Sequence, residues 1–106
     1  MQVVDHEPYL WFLFEQDGEL YLDANCNHSF IGYTFMMRLT SNEVRRYRRQ
    51  GRNYINWLAQ DIQNSAPILI TSNSSYKHRK ASPEEEAQAN AAVSAWQAAQ
   101  VRGKGV

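Results

Sequence analysis

Residues 9–24 read Tyr-Leu-Trp-Phe-Leu-Phe-Glu-Gln-Asp-Gly-Glu-Leu-Tyr-Leu-Asp-Ala, two apolar runs flanking Asp17-Gly18. Both turn residues tolerate positive φ, so the pair suits a two-residue type I′ loop and predicts a β-hairpin. With that loop at the centre, Phe14 faces Tyr21, Phe12 faces Asp23 and Tyr9 faces Cys26. Side chains alternate along a strand, which groups Trp11 and Leu13 with Leu20, Leu22, Ala24 and Cys26 on the expected core face. The other face carries Leu10, Phe12 and Phe14 beside Tyr21, Asp23 and Asn25. It is either covered by a helix or used as an interface, and a chain this small needs the buried area.

Outward from the hairpin, Phe30 to Leu39 predicts a third strand, with Ile31, Tyr33, Phe35, Met37 and Leu39 on one side. Thr40-Ser41-Asn42-Glu43 then matches a capping box and starts a long helix. Val44, Tyr47, Gly51, Tyr54, Ile55, Leu58 and Ile62 recur at spacings of three and four, one stripe that can pack on a sheet. Gly51 interrupts that stripe at a cost of about 1 kcal/mol relative to alanine. Asn64-Ser65-Ala66-Pro67 ends the helix, because the residue before proline avoids helical geometry. Ile68 to Thr71 reads as a short buried strand or as an extended segment beside the sheet.

Residues 72–81 are polar and basic and read as an exposed loop. Ser82-Pro83-Glu84-Glu85 opens a C-terminal helix with a cap, a proline and acids at the positive end of its dipole. Ala89, Ala92, Val93, Trp96 and Ala99 form its apolar stripe, Gly103 is its expected stop, and residues 102–106 are expected to fray. The fold class is therefore α+β. A three-stranded antiparallel meander, four-stranded if Ile68 to Thr71 joins it, packs against the long helix and the C-terminal helix in one domain spanning 1–106.

Valine, isoleucine, leucine and phenylalanine total only 22 of 106 residues, but three tryptophans and six tyrosines point to an aromatic core. No stretch is long enough to span a bilayer, and the acidic start and short apolar run do not resemble a secretory signal, so a cytoplasmic location is expected. A single cysteine forms no internal disulfide. The net charge is zero but unevenly spread: residues 1–40 carry −5, residues 41–82 carry +6 and the remainder −1. Such asymmetry supports either an internally complementary fold or two surfaces of opposite sign.

Asp23-Ala24-Asn25-Cys26-Asn27-His28-Ser29 is the most site-like cluster. A histidine can activate a cysteine nucleophile, yet no oxyanion donor or orienting third residue accompanies Cys26 and His28. Asp23, Asn25 and Asn27 imitate the start of a calcium loop, but His28 stands where glycine is needed and Thr34 where a bidentate glutamate is needed. His6, His28 and His78 are too scattered for zinc, so neither a metal nor a cofactor is expected. Turn-forming chemistry accounts for the Asn and Ser residues. Arg45, Arg46, Arg48, Arg49 and Arg52 could bind phosphates or, through bidentate geometry, carboxylates.

With no catalytic set, the expectation is a small non-enzymatic module that binds a protein partner, such as an inhibitor or an immunity-type protein. Phe12, Phe14, Tyr21, Asp23, Asn25, His28, Arg45, Arg48, Arg49 and Arg52 are its candidate contact residues. The alternatives are a nucleic-acid-binding domain using the arginine-rich helix face, and a small enzyme or ligand-binding domain using Asp23, Cys26 and His28.

Overall fold

The computed structural model describes residues 1–69 and 71–104. Strands β1 (Gln2–Glu7), β2 (Trp11–Gln16), β3 (Glu19–His28) and β4 (Ile31–Arg38) form one antiparallel sheet in sequence order. Helices α1 (Ser41–Gln50), α2 (Arg52–Ser65) and α3 (Pro83–Lys104) follow, so the class is α+β and the sheet is a four-stranded meander. The fourth strand is the N-terminal Gln2–Glu7, however, while Ile68, Leu69 and Thr71 form turns and a bend. β1 is an edge strand whose acidic residues keep it from reading as a core segment, as edges commonly do. Ala66 adopts a left-handed φ of 47°, the chain turns there, and Ile68 stays exposed. Ile70 lies outside the described residues.

The expected hairpin forms between β2 and β3 at Asp17 (φ 53°) and Gly18 (φ 80°), with Phe14 opposite Tyr21 and Phe12 opposite Asp23. The expected Tyr9–Cys26 pair does not form. Tyr9 leaves the strand with φ 67°, the β2–β3 ladder ends at Trp11–Ala24, and Cys26 instead pairs with Tyr33. One face of the sheet buries Trp11, Leu13, Leu22, Ala24, Cys26, Phe35 and Met37 against Tyr54, Ile55, Leu58 and Ile62 of α2. The other buries Phe14, Tyr21 and Met36 under Ala89 and Ala92 of α3, with Phe12 and Val93 at the margin. The sheet is thus enclosed by a helix on each side.

The expected long helix is two helices. Thr40 closes α1 with a complete capping box through Glu43, but Gly51 (φ 65°, ψ −144°) breaks the axis before α2 starts. The apolar stripe survives the break because α2 carries its fully buried residues, while Val44 and Tyr47 of α1 pack half-buried against the same core. Residues 72–81 are not a simple exposed loop either, since Tyr76 and Ala81 are buried. Lys77–Arg79 forms one 3₁₀ turn, and Ala81 N–H donates to the Met36 carbonyl at 2.7 Å, strapping this segment along β4. Arg79 fastens the strap through Glu43 and the Arg38 carbonyl. A second capping box, Ser82 with Glu85, starts α3, which continues through Gly103 to Lys104. Gly105 and Val106 of the expected frayed end lie outside the described residues.

Candidate functional site

Because the strands form a meander, the β1–β2 and β3–β4 turns lie at the same end of the sheet. β3 continues four residues past Ala24, the last of its residues paired with β2, an overhang of about 13 Å at the usual strand rise. Cys26 at the base of the overhang is still covered by the core, but Asn27 to Gly32 are all exposed. Ser29 (φ 55°) makes the tight turn, leaving Phe30 wholly exposed and Ile31 64 % exposed. At the neighbouring turn Tyr9 is 92 % and Leu10 53 % exposed. The left-handed backbone at Tyr9 is unusual for a non-glycine residue, and Asn25 Nδ2 holds its carbonyl at 2.9 Å.

Beside this end lies a cleft of about 420 Å³ between the sheet and α3. Leu10, Trp11, Phe12 and Val93 give it an apolar floor, while Asp23, Asn25, Thr34 and Asn90 supply polar groups. Asp23 sits opposite Phe12 on the face that α3 covers, and its Oδ1 is closed off from solvent with no hydrogen-bond partner among the described residues. Burial, reinforced by the Glu86 carboxylate and opposed by Lys80, pushes its carboxyl up to about 6. Desolvation disfavours the charged form, and a neighbouring anion adds to the effect.

The structure puts Asp23 on one face of β3 and Cys26, with His28 two residues further along, on the other. Asp23 is on the α3 face and the Cys26 thiol is buried on the α2 face, where burial raises its pKa despite a Tyr33 contact that acts the other way. His28 is exposed on the overhang. Among the described residues the Cys26 thiol donates to the Ala24 carbonyl at 3.6 Å and makes no hydrogen bond to the His28 imidazole. Among the described residues no group of three or more His, Cys, Asp or Glu side chains could hold a metal ion. None of their helices is long and apolar enough to cross a membrane.

Of the expected contact residues, Phe14 and Tyr21 are buried under α3, and Phe12 packs edge-on against Trp96 there. Phe14 and Tyr21 are core, and Phe12 is half-buried at the edge of that layer, where it also lines the cleft. Asn25 and His28 remain exposed, and Arg45, Arg48 and Arg49 are exposed on α1 without an ion-pair partner among the described residues. Arg52 is different: it grips Asp5 and Glu7 of β1 and lies 5.2 Å over the Trp11 ring. It therefore ties α2 to the edge strand, and part of the charge asymmetry in the sequence is satisfied internally.

Tyr9 and Phe30, expected inside strands, lie in turns instead, while Ile31 does begin β4, a strand as expected, but is exposed, so the expected strands do not mark this exposed end. Pro8, which lacks a backbone donor, was the available signal that the strand stops before Tyr9. Glu86 and Asn90 reach the cleft only because α3 lies over the sheet, so no local pattern marks them. No protein-family model matches this sequence, and neither a curated protein nor a solved structure shows significant similarity to it.

Proposed function

We propose that this protein is a non-enzymatic protein-binding module, of the inhibitor or immunity type, which meets its partner with the overhanging end of the sheet. The observation that carries this reading is the exposure of Tyr9 and Leu10 at the β1–β2 turn and of Phe30 and Ile31 at the β3–β4 turn, both turns at the same end of the sheet. Exposed large apolar side chains at one end of a sheet, interspersed here with Asn25, Asn27 and His28 along the overhang, suit a mixed apolar and polar protein contact. Two of them are presented by backbone held in the left-handed region at Tyr9 and Ser29, conformations that tend to persist where they serve function. The unpaired arginines of α1 would add long-range attraction to an acidic partner.

The test compares the native protein with a Phe30→Ser/Ile31→Ser double variant as baits in the cell of origin. Both side chains are exposed, so the variant should fold with stability changed by no more than about 0.5 kcal/mol. A stoichiometric partner retained by the native protein and lost, at least tenfold, by the variant is the expected result. A partner captured equally by both would move the interface elsewhere. Nucleic-acid binding is the second reading, carried by Arg45, Arg46, Arg48 and Arg49 on one short helix. Steeply salt-dependent binding to DNA or RNA would support it, and no binding at low salt would end it.

A further inference from the structure

The cleft between the sheet and α3 has two compartments. Its apolar part lies against Leu10, Trp11, Phe12 and Val93. A second cavity of about 60 Å³ shares Asp23, Thr34 and Asn90 with it and is closed by Met36 and Glu86. Among the described residues Lys80 is the cation that offsets the charge on Asp23, and it is already bonded to Glu86. Glu7, at the mouth, is engaged by Arg52. β2 contributes the uncharged Phe12 and β4 the uncharged Thr34 and Met36, so the inner compartment is one positive charge short when Asp23 is ionised. The Asp23 Oδ1 without a partner marks the same deficit, since a buried acceptor left unpaired costs free energy.

We propose that this cleft binds an organic ammonium group on an apolar stem, with the ammonium between Asp23, Glu86, Thr34 and Asn90 and the stem on Leu10, Trp11, Phe12 and Val93. The chemistry of the two compartments matches the two parts of such a ligand. An ammonium has three donors and no acceptor, which suits a pocket whose polar lining includes two carboxyl groups and the hydroxyl of Thr34. An anion is excluded by the same carboxyl groups. At about 420 Å³ the outer part lies within the usual range of small-ligand sites. A small free amine and a lysine side chain of a docked protein share this chemistry.

Titration of the isotope-labelled full chain with phenethylamine, followed by amide NMR at neutral pH, tests the site. Saturable shifts confined to residues lining the cleft are expected. The charge-reversed 3-phenylpropanoate should leave them unmoved, and Asp23→Asn should weaken phenethylamine at least tenfold. Nα-acetyl-lysine amide serves as a second arm: whichever amine binds more tightly names the source, and either supports the site. Equal binding of amine and carboxylate, unchanged affinity in Asp23→Asn, or no saturation by either amine would overturn it. Phe30 and Ile31 do not line this cleft, so failure here and failure of the protein-interface reading are distinguishable.

Discussion

At the scale of single residues, Asp23 is the side chain with the most measurable consequence. Its carboxyl is pushed up to about 6 by desolvation first, then by Glu86, with Lys80 opposing. In the unfolded chain an aspartate titrates near pH 4. Between about pH 4 and about pH 6 the folded protein therefore holds a proton that the unfolded chain has released. Stability contributed by this group is complete below that interval, falls through it and is gone above it. A shift of this size corresponds to about 2–3 kcal/mol, and Asp23→Asn, which keeps the shape without the charge, should stabilise the protein at neutral pH by about 2 kcal/mol. Urea unfolding across the interval reads it: the variant should lose the falling limb, whereas parallel pH profiles would show that another group controls it. The hairpin register in the sequence already placed Asp23 opposite Phe12 on the second face. What it could not contain was the covering of that face by α3, whose Glu86 is 63 positions away and whose approach creates the desolvation.

At the scale of elements, the break between α1 and α2 turns an ordinary rule around. In a continuous helix, replacing glycine by alanine would gain about 1 kcal/mol. Gly51 instead has φ 65° and ψ −144°, a region reached almost only by glycine, and a Cβ there would meet open space. The penalty is therefore purely conformational, and Gly51→Ala should lower stability by about 1–3 kcal/mol, as measured by thermal melts. A stabilised variant would mean that α1 and α2 can run straight. Local chemistry made most elements legible: Asp17-Gly18 set the β2–β3 hairpin, Thr40 with Glu43 set the start of α1, and Ser82 set the start of α3. The errors came where tertiary contacts decide. Gln2–Glu7 is a strand because β2 offers it an edge, and the polar 72–81 segment is ordered by Tyr76, Arg79 and the β4 backbone rather than by its own composition.

At the scale of the whole molecule, the two helical layers are held very unequally. α2 inserts Tyr54, Ile55, Leu58 and Ile62 into its side of the sheet and is further fixed by Asn56 to the Trp11 indole and by Asp61 to Tyr76. α3 offers mainly Ala89 and Ala92, with Val93 and Trp96 at its margin. Burying a leucine or isoleucine side chain stabilises by about 1.5–3 kcal/mol, while an alanine methyl contributes roughly 0.8 kcal/mol. The layer over Phe14 and Tyr21 should therefore open before the other unfolds, a sub-global step of lower free energy. α3 is also the layer that desolvates Asp23, so ionisation of that carboxyl weakens the α3 layer specifically. Native-state hydrogen exchange, corrected for intrinsic rates, should show α3 amides less protected than those of α2. Their opening free energy should fall between about pH 4 and about pH 6 in the native protein but not in Asp23→Asn. If α3 and α2 exchange with equal free energies at every pH, the two layers form one cooperative unit, and the strain at Asp23 is shared by the whole fold.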